Sequence, residues 1–269
     1  VAADSYSRAC AQLLETVISI AQEAGERILS IYEGDFGIVH KPDESPVTEA
    51  DLAAHHIIID RLKALTPELP VLSEESATIP YGERARWRCY WLVDPLDGTR
   101  EFIKRNGEFT VNIALIDEHR PVLGIVHAPV TGVSYYASRG SGAFKRAAGG
   151  ETYQIHARHI VEKPMIAVSR ARCNPRQQRL LDNIGPHETI AVGSSLKSCL
   201  VAEGKADLYA RLGPTSEWDT AAAQCIVEQA GGHITDTQMR PLRYNTRPTL
   251  LNPDFFVFGA EWRDWSRHL

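Results

Sequence analysis

Trp91-Leu92-Val93-Asp94-Pro95-Leu96-Asp97-Gly98-Thr99 is an apolar run that breaks into a tight acidic turn. The run Arg88 to Val93, RCYWLV, reads as a buried strand that delivers Asp94 to a sheet edge. Pro95 and Gly98 then turn the chain so that Asp97 can face back toward Asp94. Two converging carboxylates repel unless a cation lies between them. Oxygen ligands without His or Cys select Mg²⁺, Mn²⁺ or Ca²⁺ over zinc. Taken alone, the stretch can equally be a solvated Asp-Gly hairpin turn.

On its C-terminal side, FTVNIALI (109–116) and PVLGIVHAP (121–129) read as two adjacent strands separated by the polar turn DEHR. VSYYAS and, after the turn RGSG, GAFKR continue the sheet. The Gly/Ala-rich segment Arg146 to Thr152 reads as a boundary between two halves. On the N-terminal side, Leu14, Val17, Ile18, Ala21, Ala24, Ile28 and Ile31 share one face of a helix from about Ser5 to Tyr32, stopped at Gly34. An extended piece, Phe36 to His40, enters the polar loop KPDESPVTEAD. Thr48 there can cap a second helix that ends before Pro67 and Pro70. PVLSEES reads as a short strand running into a loop.

Beyond the boundary the rhythm alternates. MIAVS, TIAVG, ADLYARL, GGHIT and FFVFG read as strands, with helices near 174–184, 196–203 and 219–230. This α/β pattern predicts a layered α/β (α+β) architecture with a cleft between two halves, an α+β half over residues 1–150 and an α/β half over 151–269.

The bulk numbers agree with a soluble globular protein: 269 residues, 43% apolar and 23% charged. A chain of this length can bury a sizeable core without disulfide staples. The five cysteines, Cys10, Cys89, Cys173, Cys199 and Cys225, form no C-x-x-C pair, and read as reduced thiols of a cytoplasmic protein. No signal pattern, membrane-span-length apolar run or nucleic-acid-type basic run is present. Loose attachment to a membrane surface stays compatible with this. With a net charge of −5, any anionic ligand must be drawn in by local cations.

Further acidic residues recur in order. Ser73-Glu74-Glu75 follows a buried-looking strand. Asp219 opens the Ala-rich helix TAAAQCIVEQA, as a cap or facing a metal. Asp43 and Asp51 flank the Ser-Pro-Val-Thr loop. The ordered set D-x-S-P-V-T-x-A-D, S-E-E, W-L-V-D-P-L-D-G-T and W-D-x-A-A resembles the inositol monophosphatase superfamily of metal-dependent, lithium-sensitive phosphatases, and the likeness spans nearly the whole chain. It implies an αβαβα sandwich with its metal site between the halves. It further implies that Glu74, Asp94, Asp97, Asp219 and the Leu96 carbonyl hold Mg²⁺, that Asp51 holds a weaker ion, and that Asp43 and Thr99 orient and deprotonate the attacking water. So many carboxylates need two or three such ions before a phosphate can enter.

Within that superfamily the run Asp94 to Ile116 is most similar to the CysQ-type 3′(2′),5′-bisphosphate nucleotidases, departing at Arg100, where Lys is expected. Gly193-Ser194-Ser195-Leu196-Lys197 offers free N–H groups and hydroxyls at a helix start, and Arg211 can add a bidentate fork. The resemblance implies that Ser194, Lys197 and Arg211 hold the second phosphate of adenosine 3′,5′-bisphosphate, with Gly98 also at the substrate and Ser169 and Arg170 lining the adenine pocket. Hydrolysis of that by-product of sulfate activation to AMP and phosphate, by a monomer or homodimer, is the expected activity. The alternatives are an inositol or sugar monophosphatase, which has no use for the second anion site, a non-catalytic nucleotide sensor, and cleavage of very short RNA ends. RGSGAF lacks a third spaced glycine and reads as a turn. His55-His56 lack zinc spacing, and Trp262 and Trp265 read as packing residues of a last helix.

Overall fold

The apolar spacing of the first segment folds as α1, Ala2–Tyr32, burying Val17, Ile18, Ala21, Ala24 and Ile28 and leaving Ile31 half-buried. The structure is a computed structural model that describes residues 2–34, 36–40, 46–170 and 174–269, with backbone alone for 2–11, 39 and 40. Strands β1 (Ile38–His40) and β2 (Pro46–Thr48) pair antiparallel ahead of α2 (Glu49–Leu65). Thr48 caps α2 as expected. Its side chain accepts the Ala50 N–H while the Asp51 carboxylate accepts the Thr48 N–H, which together satisfy donors that the helix start leaves open.

Next come β3 (Val71–Ser73), a 3₁₀ turn (Glu74–Ser76), α3 (Tyr81–Arg84), β4 (Cys89–Asp97) and α4 (Thr99–Ile103). The meander β5 (Thr110–Asp117), β6 (Arg120–Ala128), β7 (Val133–Ser138), β8 (Ala143–Arg146) and β9 (Thr152–Ile155) completes a seven-stranded sheet in chain order. Its β3–β4 pair is parallel and the rest antiparallel. Glu118 and His119, between β5 and β6, have φ of 46° and 65°, as a tight two-residue hairpin demands.

The sheet sorts the alternation of its strands into two cores. Trp91, Val93, Val111, Ile113 and Leu115 face α1 and α2, whereas Tyr90, Leu92, Ala114, Ile116 and Val126 face the helix layer on the other side. Every residue of β5 is therefore buried.

The second sheet has the order β11-β10-β12-β14-β13. It comprises β10 (Met165–Val168), β11 (Glu188–Ala191), β12 (Leu208–Arg211), β13 (His233–Asp236) and β14 (Phe255–Phe258). α6 (Leu196–Ala202) and α7 (Glu217–Gln229) lie between the sheets. α5 (Pro175–Ile184) and a 3₁₀ turn (Trp265–His268) cover the outer face, where Leu180, Leu181 and Trp265 pack on Ile166, Leu208 and Phe256. The result is the αβαβα sandwich. α7 meets β6 backbone to backbone: a Cβ added at Gly124 would lie 2.3 Å from the Ala222 carbonyl oxygen.

Three local readings change. β4 does not stop at Asp94 but runs through Pro95 to Asp97. Arg146 to Thr152 is the turn of the β8–β9 hairpin, closed by Ala147 N–H on the Glu151 carbonyl. The first sheet thus continues past the division drawn at residue 150. Trp265 packs from a 3₁₀ turn and not from a helix, and Trp262 is half-exposed against His233 and Phe258.

Candidate active site

Asp94 pairs with Asn112 and Asp97 with Thr110, so β4 carries one residue more than β5 across this interval. Residues three apart on a regular strand point to opposite faces; the bulge cancels that alternation and brings both carboxylates to one side. Gly98 follows at φ 96°, a left-handed conformation that costs glycine little, and places Thr99 at the start of α4. Asp219 arrives from the first turn of α7. One carboxylate oxygen from each of Asp94, Asp97 and Asp219 lies within 4.8 Å of the others. Asp219 also accepts the Ser216 N–H at 3.0 Å, so it both caps α7 and joins the cluster.

Burial raises the pKa of Asp94 and Asp219, and the like charges of Glu74 and Asp97 raise both further. Glu74, one step beyond β3, acts on both from the neighbouring strand end. Hard oxygen donors crowded until they cannot all ionise together are a donor set that suits a divalent ion. Leu96 buries its side chain and offers its carbonyl to Thr99 Oγ1 at 3.4 Å, while its N–H donates to Asp94.

Asp51 stands outside the Asp94–Asp97–Asp219 cluster. Its Oδ2 accepts from the Thr48 N–H and hydroxyl at 2.7 and 2.6 Å, and its Oδ1 accepts the Thr99 hydroxyl at 3.0 Å. Burial outweighs these bonds and raises its pKa. Asp43 lies outside the described residues; among the described residues the Thr99 hydroxyl lies within hydrogen-bond distance of Asp51 Oδ1 and, more distantly, the Leu96 carbonyl.

All six expected substrate contacts, Gly98, Ser169, Arg170, Ser194, Lys197 and Arg211, line one cleft of about 270 Å³ that Asp97 and Asp219 also line. Lys197 is buried, donates to the Ser194 carbonyl at 2.7 Å and lies 5.2 Å from the Tyr209 ring centre; burial lowers its pKa. Arg211 donates to Thr215 Oγ1 and the Pro214 carbonyl at 2.8 and 2.9 Å. Arg170 is engaged in a bidentate ion pair with Glu108. Ser194 has φ 49°, and its buried Oγ makes no hydrogen bond among the described residues.

Ser195 and Asn112 were not expected here. Asp97 Oδ2 accepts the N–H and hydroxyl of Ser195, each at 2.7 Å, and Asn112 Nδ2 reaches it at 3.4 Å. The signal for Asn112 was an amide inside the apolar run FTVNIALI. Ser195 does not cap the seven-residue α6, because its hydroxyl is turned to Asp97 and the Asp219 carbonyl. His55 binds Ser73 Oγ, and Cys199 is a buried free thiol, while Cys10 and Cys173 lie outside the described side chains.

An αβαβα sandwich with acidic side chains at a strand bulge and a helix start defines a class. Residues 10–260 match the model of the inositol monophosphatase family, and the chain belongs to that family. Within it, the chain is 49% identical over 247 residues to the 3′(2′),5′-bisphosphate nucleotidase CysQ of Escherichia coli (strain K12), covering 91% of this chain and 99% of that one. Its counterpart of the same name in Salmonella typhimurium is 50% identical, with the same coverage. The crystal structure of CysQ from Bacteroides thetaiotaomicron superposes with a TM-score of 0.79 at 40% identity, covering 90% of this chain and 95% of that one. No helix among the described residues is long and apolar enough to cross a membrane.

Proposed function

We propose that this chain is a magnesium-dependent 3′(2′),5′-bisphosphate nucleotidase that removes the 3′-phosphate of adenosine 3′,5′-bisphosphate, leaving AMP and phosphate. One observation carries the reading: a single cleft holds the acidic Asp97 and Asp219 together with Lys197 and Arg211. A substrate with two phosphates can span both, and the relatives named above support that substrate class.

Glu74, Asp94, Asp97, Asp219 and the Leu96 carbonyl would hold two or three Mg²⁺. When bound, the ions supply positive charge to the phosphoryl oxygens and lower the pKa of water. The chain provides the rest. Because the Thr99 hydroxyl donates to Asp51, its lone pairs are left to accept a hydrogen bond from the attacking water. Asp51, buried and more basic than an exposed carboxylate, stands behind Thr99 as the proton's destination. Ser195 and Asn112 fix the Asp97 carboxylate. Ser194, Lys197 and Arg211 seat the non-reacting phosphate.

Phosphate release and AMP formation in magnesium, in EDTA and in lithium test the reading. Adenosine 3′,5′-bisphosphate should exceed inositol monophosphate in kcat/KM, with activity lost in EDTA and lowered by lithium. A preference for inositol monophosphate would move the chain to the sugar monophosphatases. No release from either substrate would make it a binding protein.

A further inference from the structure

The turn Gly193-Ser194-Ser195 is pinned at both ends by carboxylates from the first sheet's side of the molecule. At one end Asp97 Oδ2 accepts the Ser195 N–H at 2.7 Å; at the other, Glu108 Oε2 accepts the Gly193 N–H at 2.8 Å. Between the pins sits Ser194, at φ 49°, a left-handed conformation that residues other than glycine seldom adopt. Its carbonyl receives the Lys197 ammonium at 2.7 Å, and its Oγ, without a hydrogen-bond partner among the described residues, belongs to a residue lining the cleft.

The pin at Gly193 is a tight fit. A Cβ at Gly193 would lie 2.7 Å from the Glu108 carbonyl oxygen and 2.8 Å from Glu101 Cγ. Glu108 is itself held, since Arg170 donates Nε and Nη2 to its two carboxylate oxygens at 2.6 and 2.5 Å. It is mostly buried and does not line the cleft.

We infer that Glu108 is a positioning residue for the second, non-reacting phosphate: it holds the Gly193–Ser195 turn so that Ser194 and the Lys197 ammonium are set for that group before substrate arrives. Without this pin Ser194 is free to leave the left-handed region, and the carbonyl that anchors Lys197 turns with it. Asp97 has a second task in the acidic cluster; the Glu108 carboxylate, among the described residues, accepts from the turn and from Arg170. The inference rests on assigning Ser194, Lys197 and Arg211 to the second phosphate.

Adenosine 3′,5′-bisphosphate and adenosine 3′-monophosphate differ only in the 5′-phosphate, so the ratio of their KM values reads this role. Glu108→Ala should shift that ratio against the bisphosphate about tenfold, with a smaller effect on kcat. Glu108→Gln, which keeps an acceptor oxygen for the Gly193 N–H, should recover most of the loss. Equal change on both substrates, or an unchanged ratio, overturns the inference. Lys197→Ala runs alongside. If it separates the substrates and Glu108→Ala does not, Glu108 alone is wrongly assigned. If Lys197→Ala fails to separate them, the second-phosphate reading falls and takes Glu108 with it. Should Glu108→Ala not fold, Glu108→Asp, still anionic but one methylene short, is measured instead: a shifted ratio supports the role and an unshifted one removes it.

Discussion

At Asp94 the demands of chemistry and of folding diverge. Its carboxyl is 1% exposed and crowded by Glu74, Asp97 and Asp219, so charging it in metal-free protein works against the fold. Asp94→Asn is expected to lower kcat by about three orders of magnitude and to raise the Tm of EDTA-treated protein by a few degrees. Steady-state phosphate release and a melting curve check the two halves of that statement. His127 carries the opposite sign. It is 5% exposed on β6, with Nδ1 2.9 Å from Ser134 Oγ, and burial pushes its pKa down to about 4. The unfolded chain takes up a proton near pH 6.5 that the folded state refuses. Stability from this residue is therefore whole above pH 6.5 and falls by about 3 kcal/mol as pH drops to 4. Urea unfolding at pH 7 and pH 4.5 should give that slope, and His127→Asn should flatten it.

Among the elements, α7 matters most, because it carries Asp219 and fills the layer between the sheets. Gly124→Ala would force a methyl group against Ala222 and Cys225, whose nearest atoms stand at 2.3 and 2.9 Å. A loss of about 1–3 kcal/mol is expected from such overpacking, with reduced magnesium-dependent activity as α7 is pushed outward; circular dichroism melts and kcat measure both. Most elements were legible in the sequence, since periods of two and 3.6 residues are local properties. The bulge in β4 was not, because Asp94 and Asp97 are matched to Asn112 and Thr110 on another strand and nothing between Pro95 and Leu96 states that register. β9 was lost for a related reason: a Gly/Ala-rich hairpin turn has the composition of a linker. In the site, Asp94, Asp97 and Asp219 could be read only as members of an ordered set of acidic motifs that resembles a known family; taken singly, a solvated turn and a helix cap accounted for them as well. Ser195, Asn112 and Glu108 could not, as their work is done on partners 15 to 98 residues away in the chain.

Over the whole molecule, the acidic groups span residues 74 to 219 and meet only when α7, which packs on the first sheet and also on β13 of the second, is seated against β4 and β5. Magnesium binding should therefore reinforce the entire fold and not one half of it. Differential scanning calorimetry is expected to show a single transition that moves upward with magnesium concentration, by about 2.7 kcal/mol at a hundredfold excess over Kd. In Asp94→Asn that shift should be much smaller; two separate transitions, only one responding to the ion, would mean that the halves melt independently. The contact of Gly124 with Ala222 bears on how the site keeps its dimensions. A spacer of bare peptide has no rotamers to choose among, so covalent geometry gauges the gap between a carboxylate borne on a helix and those borne on a strand. Such a gauge holds its setting while neighbouring core residues drift over evolutionary time; one made of stacked side chains would creep with every replacement.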